Sequence, residues 1–148
     1  MSYGSNLSFK NIRVKKFIYE INESVSMSDN QEIIISMTPN TFVKDGNQHF
    51  GVLELEIKLF NENYIEEGTP FFLDIIVQGA FEDVNIEDQD ANIFDLYLPS
   101  MIGMMYAYVR SYISGVTGML GETNINIPTI NVLSFLEDMR KRQSNKED

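Results

Sequence analysis

Along the first half of the chain, apolar residues recur at about every second position; along the second half they recur every third or fourth. Period two marks a strand with one face inward, and steps of three and four mark an amphipathic helix. The alternation is clearest at Leu53, Leu55, Ile57 and Leu59, interleaved with Glu54, Glu56 and Lys58. Leu7 to Ile21 is also strand-like, with Phe9, Ile12, Val14, Phe17, Ile18, Tyr19 and Ile21 among Lys and Arg. Its alternation slips at Lys15-Lys16, which predicts a β-bulge. Another strand is expected from Glu32 to Val43. Pro39 lies inside it and has no ladder donor, so this strand should bend there or lie at a sheet edge. Lys44-Asp45-Gly46-Asn47 reads as a tight turn. After a polar loop from Asn61 to Thr69, Pro70 opens a fourth strand, Phe71 to Phe81. That strand is apolar on both faces and should be covered on both sides or border a binding surface.

The rhythm changes after Glu82. The segment from Asp83 to Asn92 is acidic, which suits a helix start, and Asp90 is a candidate cap. Phe94, Leu98, Ile102, Met105, Val109, Tyr112, Ile113 and Val116 then predict a helix from Ile93 to about Met119. Pro99 implies either a later start or a kinked lead-in. Gly118 and Gly121 close the helix. Asn131 is placed to cap a short second helix, Val132 to about Arg142, followed by a frayed tail over 143–148. The expected class is α+β: a four-stranded antiparallel sheet, a long helix and a short C-terminal helix, in one domain of residues 1–148.

Charge narrows the function. Twenty-two acidic residues against eleven basic ones give a net charge of −11. Phosphate backbones need a basic footprint, so nucleic acid is not an expected partner. A negative field suits basic or mixed-charge polypeptides. There is no cysteine, which removes disulfides, thiolate metal sites and Cys nucleophiles. Met1 to Asn6 is polar and no apolar run reaches the length of a membrane span, so a cytoplasmic protein without membrane insertion is expected.

Candidate chemistry is sparse. His49 is the single histidine, which argues against zinc and leaves a general base without a partner. Asp88-x-Asp90-x-Asn92 opens like a calcium loop, but Ile93 stands at the sixth position and Pro99 at the twelfth. Gly115, Gly118 and Gly121 end a helix instead of opening one, so they form no phosphate loop. Glu54 and Glu56 read as a wet sheet face. No catalytic set, metal or cofactor is expected.

The long helix is the informative element. Beside its apolar side of Ile102, Met105, Val109 and Tyr112, other faces carry Met101, Met104, Tyr106 and Tyr108. A surface helix normally turns polar residues to water. The surplus points to a subunit interface or partner groove, with Met101, Met104, Met105, Tyr108 and Tyr112 as the interface candidates.

Three motifs, in order, resemble the SecB family of protein-export chaperones. They are Phe71-Phe72-Leu73 through Gln78-Gly79-Ala80-Phe81, then Met105-Tyr106-Ala107-Tyr108-Val109-Arg110-Ser111-Tyr112-Ile113, then Pro128-Thr129-Ile130-Asn131-Val132. The opening strand, Phe9 to Glu20, is similar but less so. The resemblance implies an ATP-independent holdase that binds unfolded polypeptides, including preproteins for export, in apolar grooves. It also implies a homotetramer, a dimer of dimers meeting through the long helices. Groove candidates are Phe42, Phe60, Phe72, Ile76, Phe81, Ile86, Leu133 and Leu136. The family docks the SecA motor through acidic residues on the sheet, for which Glu20 and Glu62 are the candidates. The chain departs from the family at Ala80, at Met104-Met105, at the basic Arg140-Lys141-Arg142, and at Lys16, where the family has an acid. Some SecB-like proteins instead hold an antitoxin of a toxin–antitoxin system, and a fixed-partner interaction protein would use the same fold.

Overall fold

The structure is a computed structural model and describes residues 6–26, 32–43, 46–87, 91–120 and 125–147. Lys44, Asp45, Asp88, Asp90 and Gly121, on which expectations fall, lie outside the described residues. The chain divides into two compact units, Met1–Leu96 and Tyr97–Asp148.

The first unit is a four-stranded antiparallel sheet of β1 (Ser8–Ile21), β2 (Ile35–Val43), β3 (Phe50–Leu59) and β4 (Phe71–Glu82), in the order β1-β4-β3-β2. A short helix, α1 (Tyr64–Glu67), lies in the β3–β4 connection where sequence suggested only a polar loop. The two longest apolar patterns occupy the sheet centre. Leu53, Leu55, Ile57 and Leu59 of β3 stand opposite Gly79, Val77, Ile75 and Leu73 of β4, and all of these aliphatic side chains are fully buried.

β1 keeps its apolar residues on that face by means of two bulges. Phe9, Ile12, Val14, Phe17, Tyr19 and Ile21 pair with Phe81, Gly79, Val77, Ile75, Leu73 and Phe71, all odd-numbered positions of β4. Spacings of three, two, three, two and two cannot do this in a regular strand. One extra residue is absorbed between Phe9 and Asn11, and another between Val14 and Lys16. The second is the bulge expected at Lys15-Lys16; the first escaped the periodicity reading. β2 is an edge strand that begins at Ile35 and runs through Pro39, which faces Leu55. A proline inside a paired strand is tolerated at an edge, where its missing N–H withdraws no ladder bond.

Gly46 has φ of 81°, the positive value that a tight turn demands and glycine supplies. Gly51 serves a close approach. A Cβ there would lie 2.6 Å from the Phe94 ring and 2.8 Å from Ile93 Cγ2. Both residues belong to the first turn of α2 (Ile93–Met119), and Ile93 N donates to the Gln48 carbonyl at 3.0 Å. The helix is continuous through Pro99. Its cap is Asn92. Asn92 Oδ1 accepts from Phe94 N at 2.9 Å and Asp95 N at 3.2 Å, while Asn92 N donates to Asp95 Oδ2 at 2.8 Å. These bonds satisfy N–H groups left open at a helix start, with Asp95 in the reciprocal role of a capping box.

The second unit holds the rest of α2, an extended return over residues 125–130, and α3 (Val132–Glu147). Met101, Ile102, Met105, Val109 and Ile113 are fully buried. Four α2 side chains along one edge tie down the return. Tyr106 Oη donates to the Pro128 carbonyl, and Arg110 Nε to the Ile127 carbonyl at 2.9 Å. Ser114 Oγ reaches Asn126 Oδ1 at 3.2 Å, and Thr117 Oγ1 accepts from Ile125 N at 3.0 Å. Ile125 and Ile127 turn inward and are buried. Asn131 caps α3 as expected, accepting from Ser134 N at 3.0 Å. α3 extends beyond Arg142, to Glu147. Arg, Lys and Gln are good helix formers, and their polarity in an exposed helix resembles the polarity of a tail. Among the described residues, no helix is long and apolar enough to cross a membrane.

Candidate polypeptide-binding and docking surfaces

The second face of the sheet carries the even-numbered residues of β3 and β4, and its chemistry is ionic. The bulge at Lys15-Lys16 sends both lysines to it. Lys15 Nζ meets Glu54 Oε2 at 3.1 Å and Lys16 Nζ meets Asp74 Oδ2 at 3.0 Å. Lys10 Nζ lies 3.4 Å from Glu82 Oε1, and Lys58 Nζ 2.8 Å from Glu62 Oε1. Gln78 links two strands, accepting from Arg13 Nε at 2.9 Å and donating to Glu54 Oε2 at 2.8 Å.

At the centre of this face Asp74 is 2% exposed, and its Oδ1 meets no hydrogen-bond partner among the described residues. Glu56 lies on the neighbouring strand. Burial, and then the adjacent Asp74 carboxylate, push the Glu56 carboxyl above its usual range, against the weaker pull of Lys58 and Lys16. Glu54 is shifted the other way, chiefly by its hydrogen bond from Gln78 and despite some burial. Two carboxylates one position apart on the same face therefore differ because of what each touches.

The docking candidates lie at one end of this face. Glu20 Oε2 accepts from Tyr64 Oη at 2.9 Å, and the Tyr64 ring stacks on Phe72 with centroids 6.2 Å apart. Asn22 holds the connection in place. Its N donates to the Pro70 carbonyl at 2.9 Å and its Nδ2 to the Thr69 carbonyl at 3.0 Å. Glu62 is exposed, and its hydrogen bond from Lys58 draws its carboxyl below the usual range. Both candidate carboxylates are thus engaged within the chain.

The polypeptide-binding candidates are distributed. Phe42 is 52% exposed and shares the ionic face with half-buried Ile76 and buried Phe72. Phe60 and Phe81 are buried. Phe81 packs edge-on to Phe9 at 4.9 Å, and Phe60 edge-on to Phe71 at 5.1 Å. Phe60 adopts φ of 61°, an uncommon value for a bulky side chain, and its N donates to the Ile34 carbonyl at 2.8 Å. Ile86 is buried in the connection after β4. In the second unit Leu133 is 66% exposed and Leu136 half-buried. Among the interface candidates, Met101 and Met105 are fully buried within this chain. Met104, 41% exposed, and Tyr108, 38% exposed, lie on the open side of α2, where Tyr108 stacks on half-buried Tyr112 at 6.3 Å.

Sequence reasoning missed Asp74, Gln78, Asn22 and the α2 edge of Arg110, Ser114 and Thr117. Asp74 left a signal: it is an acid inside the otherwise apolar run of residues 71–77. His49 lies where β3 begins. Its Nδ1 donates to the Asp83 carbonyl at 3.0 Å, and its own carbonyl accepts from Asp83 N at 2.8 Å.

No profile of a known protein family matches the chain. No curated protein matches it either. A solved structure does. The Rv1957 SecB-like chaperone of Mycobacterium tuberculosis, in complex with a ChAD peptide from the Rv1956 HigA1 antitoxin, aligns with a TM-score of 0.67. The alignment covers 84% of this chain and 90% of that chain at 14% identity. The fold is SecB-like. A protein of unknown function from Streptococcus agalactiae also aligns, with a TM-score of 0.41, 13% identity, and coverage of 83% of this chain and 97% of that one.

Proposed function

We propose that this chain is a SecB-like holdase that binds unfolded or partly folded polypeptides without ATP. The fold shared with the Rv1957 chaperone over most of both chains carries this reading. The three ordered motifs support it. So do large apolar side chains left open on each unit, such as Phe42 and Leu133. In this reading Phe42, Ile76, Leu133 and Leu136 offer apolar contact in the resting chain. Phe60, Phe72, Phe81 and Ile86 contribute only where the surrounding loops shift. Residues 1–148 act as one non-catalytic, cytoplasmic domain, assembled as a homotetramer through α2.

Between export and toxin–antitoxin service, one observation favours the second. A docking face for a motor would have to present free negative charge. Here Glu54, Asp74, Glu82 and Glu62 are each paired with a lysine, which leaves Glu20, held by the neutral Tyr64 hydroxyl, as the docking candidate that keeps its charge. Paired charges attract a basic partner weakly. In this reading the chain captures an antitoxin and does not dock SecA; the Rv1957 neighbour holds a ChAD peptide from the HigA1 antitoxin.

The test is light scattering from several unrelated denatured clients, with and without ATP, and with purified SecA added in a parallel arm. Suppressed aggregation that ignores ATP and SecA is expected. Unchanged aggregation of every client would remove the holdase reading, and SecA-dependent client release would restore the export one.

A further inference from the structure

Tyr64 covers a place on the sheet that its own contacts define. Glu20 and Phe72 stand directly opposite each other where β1 and β4 pair. The Tyr64 ring stacks on Phe72 with centroids 6.2 Å apart, and its hydroxyl donates to Glu20 Oε2 at 2.9 Å. The carboxylate, chiefly through this hydrogen bond, pushes the Tyr64 hydroxyl above its usual range and so keeps it a donor. Half-buried Ile18 is the next residue of β1 on the same face. With Tyr64 in place, Phe72 is 5% exposed.

The segment carrying Tyr64 has the parts of a latch. α1 is a single turn of four residues, none of them buried. A helix of that length has no stability of its own. Its flanks are anchored. Phe60 N donates to the Ile34 carbonyl on one side, and Asn22 holds the Thr69 and Pro70 carbonyls on the other. Beside these anchors lie two left-handed backbones, Phe60 with φ of 61° and Gly68 with φ of 70°. The first is strained for a bulky side chain, and the second suits glycine. Between them the segment is tied through Tyr64, through a long 3.4 Å bond from Asn22 Nδ2 to the Tyr64 carbonyl, and through the Lys58–Glu62 pair. Exposed pairs of this kind exchange for water at little cost.

We propose that α1 is a removable cover, and that Tyr64 occupies the seat of a tyrosine side chain from a bound polypeptide. When residues 61–68 swing out, Phe72 offers the incoming ring the same stack and Glu20 offers its hydroxyl the same acceptor. The present occupant names the chemistry of the next. A leucine would cover Phe72 without the edge-and-face geometry of a ring pair, and a phenylalanine would bring no donor to Glu20. The cover lowers the apparent affinity by the fraction of chains that are open. The seat rests on the holdase reading and gives it a moving part: Phe72 contributes there only after a loop shift, and α1 is the segment that shifts.

The full chain, labelled for NMR, is titrated with acetyl-Gly-Tyr-Gly-amide, acetyl-Gly-Phe-Gly-amide and acetyl-Gly-Leu-Gly-amide. The parent, Tyr64→Ala and Tyr64→Phe are compared. Tyr64→Ala is expected to bind the tyrosine peptide about ten-fold more tightly than the parent, as a cover closed about nine-tenths of the time requires. The amides of Glu20 and Phe72 should shift, and the phenylalanine and leucine peptides should bind more weakly, in that order. Tyr64→Phe keeps the ring and loses only the catch on Glu20, so it should fall between the parent and Tyr64→Ala. It tests the latch even where Tyr64→Ala does not fold. Equal binding by the parent and the variants, shifts confined to other regions, no preference for tyrosine, or no binding by any of the three would overturn the proposal. Light scattering from denatured clients on the same proteins separates it from the holdase reading. Suppression by the parent without binding at the seat keeps the holdase and removes the seat. Binding at the seat without suppression keeps the seat and removes the holdase.

Discussion

Glu54 and Glu56 look alike in the sequence and behave oppositely in the fold. Glu54 is held ionised by Gln78 and Lys15, so its contribution is present above the unfolded-state value and is lost as pH falls through the folded one. Glu56 is raised, first by burial and then by Asp74, so the folded state prefers its protonated form. Its contribution is present below the unfolded-state value and is lost as pH rises through the folded one. Glu56→Gln keeps a neutral side chain at every pH. The variant should match the parent below about pH 4, the ordinary carboxylate range, and be more stable at neutral pH. Urea midpoints at the two pH values decide this; an equal gain at both would show that charge at Glu56 plays no part. The alternation of Leu53 to Leu59 placed both glutamates on the polar face. Nothing local revealed that Asp74, from a strand distant in sequence, would stand beside only one of them.

Among the elements, α2 shows how far local chemistry reaches. Steps of three and four marked its span from Ile93 to Met119, and the structure has those bounds. Its start depends on the reciprocal bonds of Asn92 and Asp95. Asn92→Ala leaves orphan N–H groups at the first turn and should cost about 1 kcal/mol of stability in chemical denaturation. No loss would mean that the contact of Phe94 and Ile93 over Gly51 positions the turn alone. β1 was legible as a strand but only half legible in detail. The doubled lysine exposed one bulge, whereas the other, beside Lys10, needs the β4 register to be seen. The extent of α3 was hidden for a different reason: an exposed helix of Arg, Lys, Gln and Asn has no apolar stripe to report its period.

For the whole molecule, the open side of α2 bears on assembly. Met104 and Tyr108 remain exposed on a helix that carries few charges. Apolar surface of this kind is usually covered by another subunit. Light scattering in solution is expected to give a mass about four times that of the 17.0 kDa chain. The pair Met104→Lys and Tyr108→Lys should shift the protein to smaller species without unfolding it, because neither side chain is buried within the chain. A monomer in the parent protein would refute assembly through this helix.

By itself, the sequence determined the types and order of the four strands and the two longer helices, the α+β class and the buried face of β3. These follow from periodicity and from short-range rules for Gly, Pro and Asn, which act within a few residues. Tertiary structure alone decided the strand order β1-β4-β3-β2, the lysine partners of the sheet carboxylates and the opposed shifts of Glu54 and Glu56. It also decided that Tyr106, Arg110, Ser114 and Thr117 tie down the extended return. Each of these depends on which distant residues become neighbours, and for charged groups those neighbours set the energy through distance and burial.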